Sequence, residues 1–232
     1  MKLRPPLDAP PDALPVREAY GLWAARYDDE CAVSALEDRT VGALTPSLKG
    51  RSLLDAGCGT GRRLPSGPDG PLRAIGVDLV PEMLSAARHR GGAALAAGDI
   101  RALPLASGAF DVVWCRMVLG HLPELTTAYR ELARVTRSGG RLIVSDFHPE
   151  AVVAGHTRTF RDPKGRPHAV EHHTHSMAEY ERAARRVGWT IDRTSEVAAG
   201  PEERPFYERA GRIDQYERER GLPLVLAMCC TR

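Results

Sequence analysis

The chain has 232 residues, of which 43% are hydrophobic and 27% charged, and this composition is typical of a folded globular domain rather than a disordered chain. Its 32 basic and 30 acidic residues leave a net charge of +2, which argues against a domain that binds nucleic acid mainly through phosphate contacts. The five cysteines include no Cys-x-x-Cys pair, which argues against a disulfide framework or a cysteine zinc site. The first residues lack the apolar core of a signal peptide, and no apolar run reaches the length of a membrane span, about 20 residues. A cytoplasmic protein is therefore expected.

The N-terminal part of the chain divides into two segments. Residues 1–15 contain five prolines and are predicted to form a flexible, extended arm. Over residues 16–44, apolar and aromatic side chains such as Tyr20 and Tyr27 recur at helical spacing. This segment is predicted to be a helical cap at the start of one domain that spans 16–232.

From residue 51 onward, strand-like and helix-like segments alternate. Strands are predicted at 51–56, 72–78, 93–97, 110–116 and 141–147, with two more at 189–197 and 222–230. Helices are predicted at 81–90 and at 124–137, the second closed by a Ser-Gly-Gly turn. Such alternation predicts βαβ units, so the expected fold class is α/β: a doubly wound, Rossmann-like sheet of about seven strands with helices on both faces.

Three segments depart from that alternation. Residues 62–71 are rich in Pro and Gly, so one or two helical turns followed by a loop are predicted there. Residues 148–175 are rich in His, Gly and Pro and show little periodicity, and we expect them to form a lid after the fifth strand. Beyond this lid, helices are predicted at 176–187 and, with many charges, at 205–220.

The most informative stretch leads from a strand into a glycine-rich turn: Leu53-Leu54-Asp55-Ala56-Gly57-Cys58-Gly59-Thr60-Gly61. Glycines let a backbone approach a ligand closely, and ligands of open α/β sheets bind beyond the carboxyl ends of the strands. A dinucleotide fingerprint would need glycine where the chain has Arg62, and no Walker-type Gly-Lys-Ser/Thr follows. Asp78 ends the next strand, where a carboxylate can accept hydrogen bonds from two ribose hydroxyls. These residues indicate an adenosine-binding site without a phosphate cradle.

Five sequence blocks follow one another along the chain. They are Leu-Leu-Asp-Ala-Gly-Cys-Gly-Thr-Gly at 53–61, Gly-Val-Asp-Leu-Val-Pro-Glu-Met-Leu at 76–84, Gly-Asp-Ile at 98–100, Phe-Asp-Val-Val-Trp at 110–114 and Glu-Leu-Ala-Arg-Val-Thr-Arg-Ser-Gly-Gly-Arg-Leu at 131–142. With these blocks, the chain resembles the class I S-adenosylmethionine-dependent methyltransferases of the small-molecule type. The resemblance covers roughly residues 16–147 and is looser beyond them.

This resemblance implies how the chain would bind S-adenosylmethionine. The methionine part of the cofactor would lie along the turn, against Gly57, Cys58, Gly59 and Gly61. Its ammonium and carboxylate ends would face Asp55, the backbone near Cys115 and two tyrosines of the cap, Tyr20 and Tyr27. The adenosine part would contact Asp78 through the ribose, Leu79 and Met83 through the adenine face, Asp99 through the adenine amino group, and the backbone of Ile100.

The same resemblance implies in-line methyl transfer to a small-molecule acceptor at oxygen, nitrogen or carbon. This reaction needs an aligned acceptor and excluded water rather than a fixed catalytic motif. The Asn/Asp-Pro-Pro-Tyr/Phe motif of amino-group methylation is replaced by Trp-Cys-Arg-Met at 114–117, and the paired glutamates of arginine methylation are missing after that strand. An RNA or protein methyltransferase and a non-catalytic S-adenosylmethionine-binding protein stay open as alternatives. The sequence does not define the oligomeric state.

Two histidines that follow predicted strands are candidate proton acceptors. His121 follows the fourth strand and His148 the fifth, and a structural role is the alternative for each. The run 168–175 holds four of the eight histidines together with Glu171. A substrate-facing lid, plain packing and a metal site are its possible explanations, and because no known zinc spacing matches, no metal is predicted. Two other groups have structural explanations, a solvated helical face for Arg182, Arg185 and Arg186 and core packing for Cys229 and Cys230.

Overall fold

The computed structural model describes residues 13–87 and 94–232 of the chain. Its strands are β1 Ala13–Leu14, β2 Ser52–Ala56, β3 Arg73–Asp78, β4 Ala94–Ala97, β5 Phe110–Arg116, β6 Thr136–Phe147, β7 Thr159–Arg161, β8 Pro167–Val170, β9 Thr190–Ala198 and β10 Pro223–Thr231. Its α-helices are α1 Val16–Trp23, α2 Ala32–Leu44, α3 Pro81–Ala87, α4 Thr126–Val135, α5 Pro149–Val153, α6 Met177–Arg186, α7 Arg204–Arg209 and α8 Ile213–Glu219.

Seven of these strands form one sheet in the order β4-β3-β2-β5-β6-β10-β9. The first five strands of that order pair in parallel, whereas β10 pairs antiparallel with both β6 and β9. The strand order reverses between β2 and β5, so their carboxyl ends flank the switch point at which open α/β sheets bind ligands. The predicted doubly wound sheet is confirmed. The predicted helix end at 90 and strand start at 93 lie outside the described residues.

Both faces of the central strands are buried, which explains why these strands read as continuous apolar runs. In β2, Leu53 belongs to the same cluster as Val41 of α2, whereas Leu54 belongs to the larger cluster beneath α4 and α6. Cys229 and Cys230 divide between the same two clusters, so their predicted packing as small hydrophobes is confirmed. All five cysteines are free thiols.

A second, three-stranded sheet joins the N-terminal end of the described chain to the segment after β6, in the order β1-β8-β7. Ala13 of β1 lies opposite Ala169 of β8, and the Glu171 backbone N–H donates to the Leu14 carbonyl at 2.9 Å. Residues 13 and 14, at the end of the arm predicted over 1–15, are extended and have strand partners in β8. The remainder of that arm, residues 1–12, lies outside the described residues.

The segment 16–44, predicted to be helical, is not one continuous helix. The structure has two helices, α1 and α2, separated by a short 3-10 turn and an irregular stretch. In that stretch, Asp28 accepts a hydrogen bond from the Thr60 hydroxyl, and Asp29 pairs with Arg26 at 3.2 Å. The Asp28 contact ties the chain between α1 and α2 to the glycine turn.

The boundary between α4 and β6 also differs from the predicted one. The helix begins at Thr126 rather than at 124, because the Glu124 carboxylate accepts hydrogen bonds from the backbone N–H groups of Thr126 and Thr127. β6 begins at Thr136, ahead of the Ser-Gly-Gly turn predicted to close the helix. Thr136 already pairs with Phe110 of β5, and a bulge follows this pair.

Two further predicted helices are shorter or interrupted. The helix predicted at 205–220 is divided into α7 and α8 at Gly211, which has a φ of 65°. Over 62–71, where the sequence predicts one or two helical turns, the chain forms turns but no helix. In the first of these turns, the Leu64 N–H donates a hydrogen bond to the Gly61 carbonyl at 3.0 Å. The predicted solvated face of α6 is confirmed, with exposed side chains at Arg182, Arg185 and Arg186.

Candidate functional site

The glycine-rich turn follows β2 at the switch point of the sheet. Gly57, Gly59 and Gly61 have φ angles of 87°, 55° and 65°, in the left-handed region that side chains disfavour. At Gly57, a Cβ atom would lie 2.3 Å from Cγ2 of Val118. The Gly57 N–H donates to the Val77 carbonyl at 2.7 Å, which fastens the turn to β3. The path of this turn therefore depends on glycine for its dihedral angles and for the close approach of Val118.

Asp78 lies at the end of β3, beside the turn. Its Oδ2 accepts a hydrogen bond from the Gly59 N–H at 2.7 Å, and its Oδ1 accepts one from the Val80 N–H at 2.9 Å. Burial raises the pKa of this carboxyl, and the backbone hydrogen bonds act in the opposite direction. Each carboxylate oxygen has a second lone pair, so Asp78 holds the turn and can still accept hydrogen bonds from a ligand.

Asp55 of β2 has an unpartnered buried oxygen. The residue is 2% exposed, and its Oδ1 has no hydrogen-bond partner among the described residues. Burial raises the pKa of Asp55 to about 6, against the opposing charges of Arg116 and Arg63. Because a buried oxygen without a donor is costly, this atom indicates a donor that the described residues do not supply. An ammonium group has the matching charge and hydrogen-bonding capacity.

The residues expected around an adenine ring lie at the ends of β3 and β4. Leu79 is 40% exposed, whereas Met83 of α3 is buried in a cluster with residues of α1. Asp99 has a cationic neighbour, since Arg101 Nη2 lies 2.6 Å from its Oδ2 and holds the pKa of this carboxyl below its usual value. Ile100 is buried beside it. The structure thus brings these residues to one edge of the sheet and adds Arg101 to them.

Two cysteines and a tyrosine expected at the site face different environments. The side chains of Cys58 and Cys115 are buried, and burial raises the pKa of both thiols. Their contribution to a ligand site is therefore limited to their backbone groups. The Tyr27 ring lies over the turn, because a Cβ atom on Gly59 would be 3.2 Å from Tyr27 Cε1.

A second group of side chains lies beyond the ends of β5 and β6. This Arg158 cluster consists of Tyr20 of α1, His121 after β5 and Arg158 before β7. His121 Nδ1 lies 3.0 Å from the carbonyl oxygen of Glu171, so Nδ1 carries the proton and donates it. Its Nε2 accepts from the Tyr20 hydroxyl at 2.8 Å, and Arg158 Nη1 lies 3.0 Å from the same nitrogen. Burial and then the Arg158 charge hold the pKa of His121 well below its usual value, which keeps the ring neutral.

Arg158 was not singled out by the sequence analysis. Its Nη1 donates to the Tyr20 hydroxyl and, at 2.9 Å, to the carbonyl of Met117, a residue held at a positive φ of 58°. Its guanidinium carbon lies 5.1 Å from the centroid of the Phe147 ring. No local motif marks this arginine, because its partner Tyr20 is 138 residues away along the chain.

The histidine run 168–175 packs against the segment after β5. His172 Nδ1 donates to the Gly120 carbonyl at 3.0 Å, and a Cβ atom on Gly120 would lie 2.3 Å from the His172 ring. His172 Nε2 is buried without a hydrogen-bond partner among the described residues, and burial lowers the pKa of the ring. His175 bonds to a backbone carbonyl, and His168 lies 3.2 Å from Asp162. Within the described residues, no group of three or more potential metal ligands occurs.

His148 occupies a different kind of position from His121. It is 3% exposed and caps α5, since its Nδ1 accepts a hydrogen bond from the Glu150 N–H at 3.2 Å. Its Nε2 lies 3.0 Å from Oε2 of Glu196 on β9. Both ring nitrogens are therefore engaged, and the imidazole is directed toward the β9 edge of the sheet rather than toward the Arg158 cluster.

Comparisons with known proteins decide the family. Residues 54–144 match a family model described as "Methyltransferase domain". The 27-O-demethylrifamycin SV methyltransferase of Amycolatopsis mediterranei (strain S699) is 30% identical over 222 residues, which cover 88% of this chain and 76% of that relative. The chain belongs to the class I S-adenosylmethionine-dependent methyltransferases.

Other members of this family differ in how much they share with the chain. Malonyl-[acyl-carrier protein] O-methyltransferase of Serratia marcescens is 35% identical over 131 residues, which cover 56% of this chain and 51% of that relative. The chain thus spans about half the length of this relative. The crystal structure of an S-adenosylmethionine dependent methyltransferase from Mesorhizobium loti shares the fold, with a TM-score of 0.67 at 20% identity over 88% of this chain and 99% of that one.

The cofactor of this family, S-adenosylmethionine, fits the residues around the glycine turn. It carries an ammonium group, for which Asp55 offers an unpartnered carboxylate oxygen. It carries two ribose hydroxyls, for which Asp78 has free lone pairs at the end of the neighbouring strand. The match rests on groups that the folded chain leaves unsatisfied.

Proposed function

We propose that this methyltransferase transfers a methyl group from S-adenosylmethionine to a small-molecule acceptor at oxygen, nitrogen or carbon. The observation that carries the proposal is the juxtaposition, at neighbouring strand ends, of the glycine turn, the unpartnered Asp55 oxygen and Asp78. The rifamycin relative, whose name gives a small molecule as its substrate, supports the acceptor class.

In this proposal the chain binds and orients the cofactor, which when bound supplies a methyl group on a positively charged sulfur. Asp55 pairs with its ammonium, and Asp78 accepts hydrogen bonds from its ribose. The remaining proposed contacts are the backbone at Gly57, Cys58, Gly59, Gly61, Ile100 and Cys115 and the side chains of Tyr27, Leu79, Met83 and Asp99. The Tyr20 hydroxyl is instead engaged by His121 and Arg158. The principal work of these residues is alignment, because a sulfonium methyl is already activated toward in-line displacement.

We further propose that the cap, 16–44, and the lid, 148–175, exclude water from the acceptor. Two contacts support this arrangement: Tyr20 of α1 bonds to Arg158 of the lid, and the Trp23 ring stacks on Phe160 of β7 with centroids 5.1 Å apart. In addition, β1, just ahead of the cap, pairs with β8 of the lid. The cap and the lid thus pack on each other above the strand ends. Water excluded in this way cannot compete with the acceptor.

Where the methylated group carries a proton, we propose His172 as its acceptor. The ring is neutral, its Nδ1 proton is held by the Gly120 carbonyl, and its Nε2 lone pair has no partner within the described residues. His121 keeps a positioning role, because its own Nε2 lone pair is taken by Tyr20 and Arg158. His148, with both nitrogens engaged, has no part in this proposal.

The proposed acceptor is a small molecule rather than a nucleic acid, and the proposed location is the cytoplasm. The nearly balanced charge of the chain supports the first point. For the second, the cysteines are free thiols, as expected in a reducing compartment. Every helix in the described part of the chain is too short or too polar to cross a membrane.

Calorimetric titration of S-adenosylmethionine and S-adenosylhomocysteine tests the cofactor site. We expect micromolar binding to the wild type and a loss of about 1–3 kcal/mol in Asp78→Asn, the usual worth of hydrogen bonds to a charged group. Asp69→Asn, which alters an exposed carboxylate, is the matched control and leaves binding unchanged. Absence of binding of both ligands to the wild type would refute the proposal. Tight binding without transfer of labelled methyl to any member of a broad acceptor panel would instead support a non-catalytic binding protein.

A further inference from the structure

Arg158 is a buried cation without a carboxylate partner. The residue is 7% exposed, and no carboxylate of the described residues lies within 4 Å of its guanidinium. Among the described residues, its polar contacts with Tyr20, Met117 and His121 are all made by Nη1, whose two N–H groups are shared among these three acceptors. Within the described chain, Nε and Nη2 have no hydrogen-bond partner. These two nitrogens form one edge of the guanidinium, with two parallel N–H groups.

The nearest acidic side chain is already occupied. Asp146 Oδ1 accepts a hydrogen bond from the Phe147 N–H at 2.8 Å, while its Oδ2 accepts from the Gly120 N–H and lies 3.3 Å from the Tyr180 hydroxyl. Asp146 therefore acts on Arg158 only through space. A buried arginine that stays charged and lacks a direct counter-ion is costly in a folded protein. Such a residue is best explained by a negative group that comes with a ligand.

The surroundings of Arg158 place that ligand on the acceptor side. Met117 and His121 follow β5, and Phe147 ends β6, whereas the glycine turn and Asp78 follow β2 and β3. The guanidinium lies among aromatic rings, because its carbon is 5.1 Å from the centroid of the Phe147 ring and the neighbouring Tyr20 and His121 rings meet edge to face at 5.3 Å. Arg158 is fixed there by the Met117 carbonyl, so its charge is held in place before a ligand binds.

We propose that Arg158 binds a carboxylate of the methyl acceptor, which makes an anionic small molecule the substrate class of this site. This inference rests on the function proposed above. The Nε–Nη2 edge donates two parallel hydrogen bonds to the carboxylate, and Nη1 stays engaged with Tyr20 and Met117. The carboxylate thereby orients the remainder of the acceptor toward the switch point of the sheet.

The test uses the full chain saturated with S-adenosylhomocysteine, with benzoate as a carboxylate probe and benzamide as its neutral counterpart. We expect benzoate to bind the wild type at least tenfold more tightly than benzamide, and Arg158→Gln to abolish this preference. Arg161→Gln, which alters an exposed arginine of β7, is the matched control and keeps the preference. Arg158→Lys retains the charge without the planar edge and is expected to reduce the preference several-fold, so it decides the matter if Arg158→Gln does not fold.

The cofactor also has a carboxylate, and a second pair of ligands separates this source from the acceptor. S-adenosylhomocysteine contains the amino-acid part and 5′-methylthioadenosine lacks it, and we expect Arg158→Gln to bind both as the wild type does. A tenfold loss confined to S-adenosylhomocysteine would assign Arg158 to the cofactor and overturn the proposal. Equal affinities of the wild type for benzoate and benzamide, or no binding of benzoate, would overturn it as well. If the wild type does not bind S-adenosylhomocysteine, the proposed function is refuted instead. In that case the preference for benzoate is measured on the free protein, and it still decides whether Arg158 binds carboxylates.

Discussion

At the ends of β2 and β3, the site is built largely from backbone geometry within a short stretch of chain. At the ends of β5 and β6, it is built from side chains that come from three distant segments. Gly57 is positioned by a hydrogen bond to β3 and Asp78 by the backbone N–H groups of Gly59 and Val80, whereas Arg158 is positioned by Tyr20 and Met117. The first arrangement suits one constant ligand, and the second can change with the acceptor while the sheet stays the same.

The largest effect is expected for Gly57→Ala, which tests the backbone character of the cofactor side. The new Cβ would lie 2.3 Å from Val118 at a φ of 87°, so strain of about 1–2 kcal/mol adds to an overlap of about 1–3 kcal/mol. We expect thermal stability to fall and S-adenosylhomocysteine binding to be lost. Gly50→Ala is the control, because Gly50 has a φ of 73° with nothing within 4 Å. An equal fall in thermal stability in both variants would show that the positive φ angle, and not the contact with Val118, causes the loss.

A smaller effect is expected from pH, through Asp55. Its pKa of about 6 means that the carboxylate is ionised at pH 7 and mostly protonated at pH 5. Because an ammonium pairs with the ionised form, S-adenosylhomocysteine should bind about tenfold more weakly at pH 5 than at pH 7. The stability of the free protein should change in the opposite direction and rise as the pH falls. A folded-state pKa above the unfolded one means that protonation of Asp55 stabilises the fold as pH falls from about 6 toward 4.

Asp55→Asn separates this carboxylate from all other groups that titrate in the same range. By calorimetry, S-adenosylhomocysteine should bind more weakly at pH 5 than at pH 7 in the wild type but not in the variant. By thermal melting, the contribution of Asp55 to stability at pH 5 should be present in the wild type and absent from the variant. If the variant retains the full pH dependence of ligand binding, Asp55 does not pair with the ammonium.

The smallest effect is expected at His148, in contrast to His172. With an acceptor found by screening, His172→Asn should lower kcat by on the order of 100-fold, since its amide keeps the bond to Gly120 but supplies no Nε2 lone pair. His148→Ala should leave kcat nearly unchanged and remove about 1 kcal/mol of stability with the cap of α5. Steady-state kinetics and melting curves of both variants decide between them. The reverse order of kcat values would return His148 to the acceptor side.

The two sides also differ in what sequence reasoning can predict. The glycine turn and Asp78 follow buried strands within one short stretch, so pattern and spacing predict both their place and their chemistry. Arg158 and His172 have partners 138 and 52 residues away. No local pattern marks Arg158, and the run 168–175 marks His172 only as one of four histidines. The break between α1 and α2 has the same origin, because the contact of Asp28 with Thr60 joins residues 32 positions apart. Interactions between distant residues decided these features, and local propensity did not report them.

The order of strands in the sheet has a consequence for synthesis of the chain. β10 lies between β6 and β9, although it follows both along the sequence. As the polypeptide leaves the ribosome, β6 and β9 therefore emerge before the strand that joins them, and each presents an open row of backbone donors and acceptors. Open edges of this kind pair readily with other nascent chains. Closure of the sheet therefore depends on the insertion of Pro223–Thr231 between these two edges.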